Sequence, residues 1–331
     1  MGNPALSAVH VNTPLTNVSV AYMQKADLFI AHKVFPQVPV SKQSDIYYTY
    51  DKDDFRRSEA QLRAPGTESA GGGYRLDSTN TYFAAVNAIH QDIGDQVRAN
   101  ADAVLNMDKD ATEYVTQQLM LKREKDWVSS FFQLGTWTGG IRPSTSGTGD
   151  LDGNGNTDFT QWNATGATPV FDITRQKNEI LKGTGYMPNT LVLHPNVYNA
   201  LINSDDIVDR VKYTQRGVLG PDLLGAVLGI DRVFVAYAGE NTANEGATAT
   251  NAFIGSNEIA LLCYSAPAPS LMHASAGYTF TWSGYTGAQD GMRISRFRME
   301  NLRADRVEGE LAYDQKLISA SLGQVFKNCL A

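Results

Sequence analysis

Cysteine is nearly absent from this chain. Two residues in 331, Cys263 and Cys329, cannot build a disulfide framework and lack the spacing of a zinc site, which points to a reducing compartment. Histidine is sparse too. His10, His32, His90, His194 and His273 are scattered, with no pair at metal-binding spacing and no accompanying nucleophile motif. Positive charge is short as well: 28 Lys and Arg stand against 35 Asp and Glu, a formal net charge of −7. Nothing in that balance suggests a surface built to neutralise phosphates. No apolar run approaches the ~18 residues that span a bilayer, so no membrane partner is expected. The opening MGNPALSAVHVNTPL has neither the basic nor the apolar region of a secretory signal. Gly2 does not begin a myristoylation motif, because the hydroxyl falls at Ser7 and Pro4 intervenes.

What remains is an ordinary globular composition, 42% apolar and 19% charged, with room for about two domains or one elaborated α/β body. Residues 1–37 are small and polar at first, then carry an apolar stripe at Tyr22, Ala26, Phe29, Ile30 and Val34 before Pro36 and Pro39 break it; this reads as an arm. Two extended, aromatic-rich runs, Asp45–Tyr50 and Tyr82–Ile89, are separated by about thirty polar residues with Ala64-Pro65-Gly66 and Gly71-Gly72-Gly73. The pattern is a long two-stranded excursion, which is marginal in water without a partner surface. Residues 108–134 form the strongest helical pattern, with Asp108 or Asp110 as cap, Glu113 completing a capping box, and Ala111, Tyr114, Val115, Leu119, Trp127 and Phe131 near helical spacing. A second helix, Asp172–Lys182, ends at Gly183 and Gly185. A buried strand, Asn189–Leu193, hands directly into a helix opened by Pro195, followed by another turn capped near Ser204. Arg232–Tyr237 and Glu258–Tyr264 read as strands. The C-terminal stretch alternates polar and apolar through Ile294, Phe297 and Met299, then Leu317, Ile318, Leu322 and Val325, as half-buried antiparallel strands do.

Candidate chemistry stays at background. Asp150-Leu151-Asp152-Gly153-Asn154-Gly155-Asn156-Thr157-Asp158 partly matches a calcium loop, but the twelfth position is Gln161 in place of the bidentate Glu. An Asx/Gly surface loop is the simpler reading, and whether residues 150–158 take a cation stays open. His194 stands at a strand end, a place catalytic groups also occupy, and reads as a structural histidine. Gly71–Gly73 and Gly183-Thr184-Gly185 lack the context of a phosphate cradle. Arg293, Arg296, Arg298, Arg303 and Arg306 alternate with Glu300, Asp305, Glu308 and Glu310, a mixed-sign surface suited to cross-strand and intersubunit pairing. Asp205/Asp206 and Asp53/Asp54 read as caps and solvated charge. No catalytic, cofactor-binding or metal residue is assigned.

The order of elements, and the stretch Asn189–Thr214 most of all, resembles the HK97-fold major capsid proteins of tailed bacteriophages. The resemblance implies an α+β fold with an N-terminal arm at 1–37, an extended β-hairpin E-loop at 38–88, a peripheral domain at 89–187 carrying the spine helix 108–134, an axial domain at 188–284, and C-terminal strands at 285–331 returning to the peripheral domain and the axial edge. It implies a non-enzymatic coat protein that assembles with itself, as hexamers and pentamers, into an icosahedral shell around double-stranded DNA in the virion. Assembly would take place in the host cytoplasm. A separate scaffolding protein and a portal are its implied partners, and the resemblance leaves open a decoration protein. Some members crosslink the E-loop through lysine and asparagine; Lys42 and Lys52 lie in that segment, without a motif to support it. An encapsulin-like compartment shares the fold, and a calcium-dependent hydrolase or binding module built on the acidic loop is the reading from another class. Deleting Gln61–Gly73 is expected to leave a folded subunit that builds no normal shells; intact particles by electron microscopy would overturn this.

Overall fold

Two sheets and one long helix organise the chain, and the alternation of side chains along the strands decides how they stack. The computed structural model describes residues 24–101, 106–139, 159–212, 220–269 and 273–330. The first sheet is built around the fourteen-residue strand Ala304–Leu317, which pairs antiparallel with Ala85–Gly94, with Met292–Met299 and with Gly277–Trp282. Gln37–Val40 adds to Gly277–Trp282 in parallel. Gly277–Trp282 therefore belongs to this sheet, although its sequence position lies inside the expected axial block.

The spine helix, Met107–Phe131, crosses one face of this sheet and is about 37 Å long at 1.5 Å per residue. Its start differs from the sequence expectation: Asn106 is the cap, its side chain accepting the Lys109 N–H at 3.1 Å. Its end also comes three residues early. The Phe131 carbonyl is taken by the Trp137 indole N–H at 2.7 Å, and Phe132 turns into the core beneath Trp127. The helix lies so close to the central strand that a Cβ on Gly309 would stand 2.2 Å from Val115 Cγ1 and 2.9 Å from Leu119 Cδ1.

The second sheet runs in the order Gly323–Phe326, Ala260–Cys263, Thr190–Leu193, Arg232–Val235, with the last pair parallel. Its central strands are buried on both faces, hence the unbroken apolar runs. Leu191, Leu193, Ala260 and Leu262 join Ile173, Ile180, Leu201 and Leu224 in one core. Val192, Leu261 and Cys263 face the other way, onto Phe35, Trp127, Phe131 and Trp137. Helix Pro169–Thr184, expected in the peripheral block, thus packs on the second sheet and ends on Gly185 at φ 81°. The strand-to-helix handover is as expected: His194 caps Pro195–Ile202, its Nδ1 accepting the Asn196 N–H at 3.2 Å. The ring is fully buried with Nε2 facing no protein acceptor, and burial pulls its pKa down to about 4.

Residues 1–37 are not an arm throughout. Phe29, Ile30, Ala31, Val34 and Phe35 are buried, and the short helix Ala31–Val34 begins on the Glu124 carboxylate. Glu124 accepts the Ile30 N–H at 3.0 and 3.1 Å and the Ala31 N–H at 2.8 Å, and is itself buried beside buried Arg123. Burial raises the Glu124 pKa, partly opposed by those backbone donors. The excursion is also narrower than 38–88, since both its ends pair in the first sheet and only 41–84 leave it.

Two outcomes follow from these buried polar groups. Glu124→Ala orphans two dry backbone donors, with an expected loss of roughly 2–5 kcal/mol in urea unfolding of the unassembled subunit. His194 titrates near 4 when folded and near 6.5 when unfolded. It therefore contributes stability that is complete above pH 6.5 and is lost as pH falls toward 4, up to about 3 kcal/mol. His194→Asn retains a capping oxygen and is expected to remove this contribution and so flatten the acid-side loss of stability. His32, held near 4 mainly by burial, adds to that loss, while the carboxyls of Asp172, raised by burial to about 6, and of Glu124, raised by burial, oppose it. An unchanged slope across unfolding curves between pH 7 and 4 would contradict this.

Candidate assembly surfaces

The ribbon at 41–84 has little to hold it together. Ser44–Ile46 pairs with Thr81–Phe83, and Thr49–Tyr50 with Leu76–Asp77, ladders of three and two residues. Its base is anchored: Tyr82 stacks on Phe280 at 4.5 Å, Tyr47 lies 5.5 Å from the same ring, and Asp314 accepts the Phe83 N–H at 2.8 Å. Beyond the base the apolar side chains face outward. Ile46, Tyr48, Phe55, Leu62, Tyr74 and Leu76 are each at least half exposed. An apolar ribbon of this kind marks an interaction surface. Lys42 is exposed and 3.3 Å from Asp45. Gly71–Gly73 lie exposed along the same ribbon, and Asp54 accepts from Arg75 at its tip.

The second surface is the charged end of the first sheet. Asp305 receives Arg98 at 3.1 Å, Arg296 at 2.9 Å and Arg298 at 3.6 Å; Asp108 receives Arg98 and Arg296; Asp95 receives Arg298 at 2.5 Å. Arg306 pairs bidentately with Asp92 at 2.7 and 2.8 Å. Arg298–Asp305 and Arg306–Asp92 are direct cross-strand partners, so the alternating signs in the sequence are matched by strand register. Hydrogen bonding from Arg296 holds the Asp305 carboxyl below the usual range, and Arg306 does the same for Asp92. Arg293 instead lies 5.9 Å over the Tyr285 ring, and Arg303 turns the hairpin at φ 46°.

The other sequence candidates do not converge. The loop 150–158 and His10 lie outside the described residues, while Gln161 donates to the Leu330 carbonyl. Asp206 accepts the Val170 N–H and pairs with Arg210, both within one helical neighbourhood. His90 sits 4.0 Å from Asp92, and His32 is half-buried in the short helix Ala31–Val34. Among the described residues no group of three His, Cys, Asp or Glu could hold a metal ion. Cys263 and Cys329 are both fully buried, and burial pushes the Cys263 thiol up to about 12.

Sequence reasoning missed the buried Arg123-Glu124 pair, because the run KREKD reads as a solvated face. Spacing held the signal. Ala111, Val115, Leu119, Arg123, Trp127 and Phe131 recur every four residues, which places Arg123 inside the apolar stripe.

No family model matches the chain. The major capsid protein of Burkholderia phage BcepMu is 23% identical over 238 residues, covering 70% of this chain and 71% of the relative. Among solved structures, a phage-related protein from Bordetella bronchiseptica RB50 superposes with a TM-score of 0.66 at 18% identity, covering 92% of this chain and 94% of that one. The capsid of cyanophage P-SCSP1u gives 0.58 at 14% identity, covering 95% and 91%. The holo-SrpI encapsulin complex of Synechococcus elongatus PCC 7942 gives 0.55 at 11% identity, covering 99% and 96%. The structural likenesses establish an HK97-type fold, and the sequence likeness is to a phage major capsid protein.

Proposed function

We propose that this chain is the coat subunit of a phage virion, assembling as hexamers and pentamers into an icosahedral shell around double-stranded DNA. The observation that carries the reading is the ribbon at 41–84, whose exposed aromatic and aliphatic side chains have no core of their own to bury in. A neighbouring subunit supplies that surface. The role is structural, without catalysis, and strength comes from many modest contacts closed by symmetry. A separate scaffolding protein guides assembly in the host cytoplasm, and a portal completes the particle. In this reading the chain is organised as a ribbon, a peripheral block on the first sheet and an axial block on the second.

The likeness to an encapsulin complex over 99% of the chain favours one second reading, a compartment that encloses protein. The calcium-dependent hydrolase reading is not carried forward, since its loop is outside the described residues and no site among the described residues supports it. Electron microscopy of the chain co-expressed with its genomic neighbours tests the proposal. Closed shells of uniform size containing DNA are expected. Shells filled with an enzyme favour the compartment, and persistent well-folded monomers overturn both.

A further inference from the structure

The ribbon makes one contact that a freely swinging loop would not. Asp54–Arg56 forms a short 3-10 turn near its tip, and the Arg56 guanidinium donates to the carbonyls of Lys182 and Gly183. Those oxygens belong to the last turn of helix Pro169–Thr184, where carbonyls have no intrahelical donor and where the helix dipole presents its negative end. The contact joins residues 127 and 126 positions apart.

Arg56 is presented by a built platform. Asp54 accepts the Arg75 N–H at 2.9 Å and its Nε at 3.1 Å, and Asp51 takes Arg75 Nη2 at 2.5 Å, which ties the turn to the returning strand. Phe55 stacks on Tyr74 at 5.4 Å, and Tyr50 lies 5.8 Å from each. Yet Phe55 and Tyr74 remain 54% and 63% exposed. The contact to the helix end satisfies the guanidinium and leaves the aromatic face beside it uncovered. An interface that fits the charge and omits the apolar area is half an interface.

We propose that the C-terminal end of helix Pro169–Thr184 is the receptor for the ribbon tip, occupied by the chain's own Arg56 in the isolated subunit and by Arg56 of a second copy in the shell. The inference rests on the shell-subunit reading and names the surface that reading leaves open. Every copy carries both halves of the contact, so exchanging an internal partner for an identical external one loses nothing at the carbonyls. The internal contact wins while subunits are dilute, because tethering gives it a high effective concentration. Once neighbours are held side by side, the external contact also covers Tyr50, Phe55 and Tyr74. That added apolar burial drives the exchange.

The test uses the full chain with one cysteine beside each half of the contact, leaving Arg56 itself intact: Arg57→Cys and Lys182→Cys. Both native cysteines are buried, which keeps background labelling low. In dilute subunits, a short bis-maleimide is expected to link the double variant within one chain. An equal mixture of the two single variants should give no dimers when dilute and abundant covalent dimers once assembled into shells. Arg56→Ala removes the same contact from the isolated subunit and from the shell, so it should leave the concentration needed for assembly nearly unchanged while lowering the dimer yield in mixed shells several-fold, and Arg56→Lys should recover part of that yield. Mixed shells that form normally but yield no dimers, while the double variant still links within one chain, would overturn the exchange. If the unmodified chain forms no shells at all, the shell reading fails, and the dilute intrachain link still reports on the contact itself.

Discussion

The fold turns on one buried carboxylate. Glu124 sits where the spine helix, the second sheet and the segment Phe29–Phe35 meet, and it accepts the backbone donors of Ile30 and Ala31 in a site closed to water. Burying an ion is expensive, and burial accordingly raises its pKa. The alternative is worse: an apolar residue there would leave those N–H groups dry and unpaired. With Ile30 and Ala31 held, Phe35 is aimed edge-on at Trp127 and Phe131, 5.8 and 5.0 Å away. The ring fits because Gly277 has no side chain; a Cβ there would stand 2.6 Å from Phe35 Cε2. The next residues, Gln37–Val40, then align with Thr279–Trp282, and that alignment sets where the ribbon leaves the sheet. A polar contact in the core thus positions the surface on which the proposed function depends.

Much of this was readable in the residues because it rests on local rules. Asn189–Leu193 followed by Pro195 gave strand and helix without ambiguity, and the four-residue ladder from Ala111 to Phe131 marked the spine. The exposed ribbon was legible from two aromatic runs around a Gly-rich stretch. What escaped depends on distant partners. Phe29–Phe35 looked like the end of an arm because nothing nearby in sequence announces that Glu124, ninety-four residues on from Ile30, will receive it. The helix start was misplaced from Asp108 to Asn106 because several adjacent residues can cap and tertiary packing chooses among them. Gly277–Trp282 and helix Pro169–Thr184 were assigned by their place in the chain, while register and core membership put them on the opposite sheets.

Stability and assembly are carried by different parts of the molecule. The two cores bury Trp127, Trp162, Phe35 and Phe326 almost completely, whereas the ribbon's ladders are two and three residues long and its tip aromatics lie open. A ribbon that buried its own aromatics would fold better alone and have less to give a neighbour. The charged end of the first sheet shows the opposite economy. Three arginines converge on Asp305 and Asp108, and strand register pairs Arg306 with Asp92, so much of the mixed charge seen in the sequence is matched within one subunit. Isolated surface pairs add little to stability, but a self-neutralised patch lets two copies approach without repelling.

The same electrostatics bear on what a shell of these subunits can hold. Each copy carries a formal charge of −7, and the arginines that might have faced phosphates at the end of the first sheet are already committed to Asp92, Asp95, Asp108 and Asp305. On the proposed reading, a net charge of that sign and arginines already paired leave the subunit little with which to hold a polyanion. In the proposed shell, retention comes from closure. The contacts between copies therefore bear the load of confinement, and an apolar tip with a single cation aimed at a helix end suits that load: the apolar area is insensitive to salt, while the guanidinium fixes where it lands.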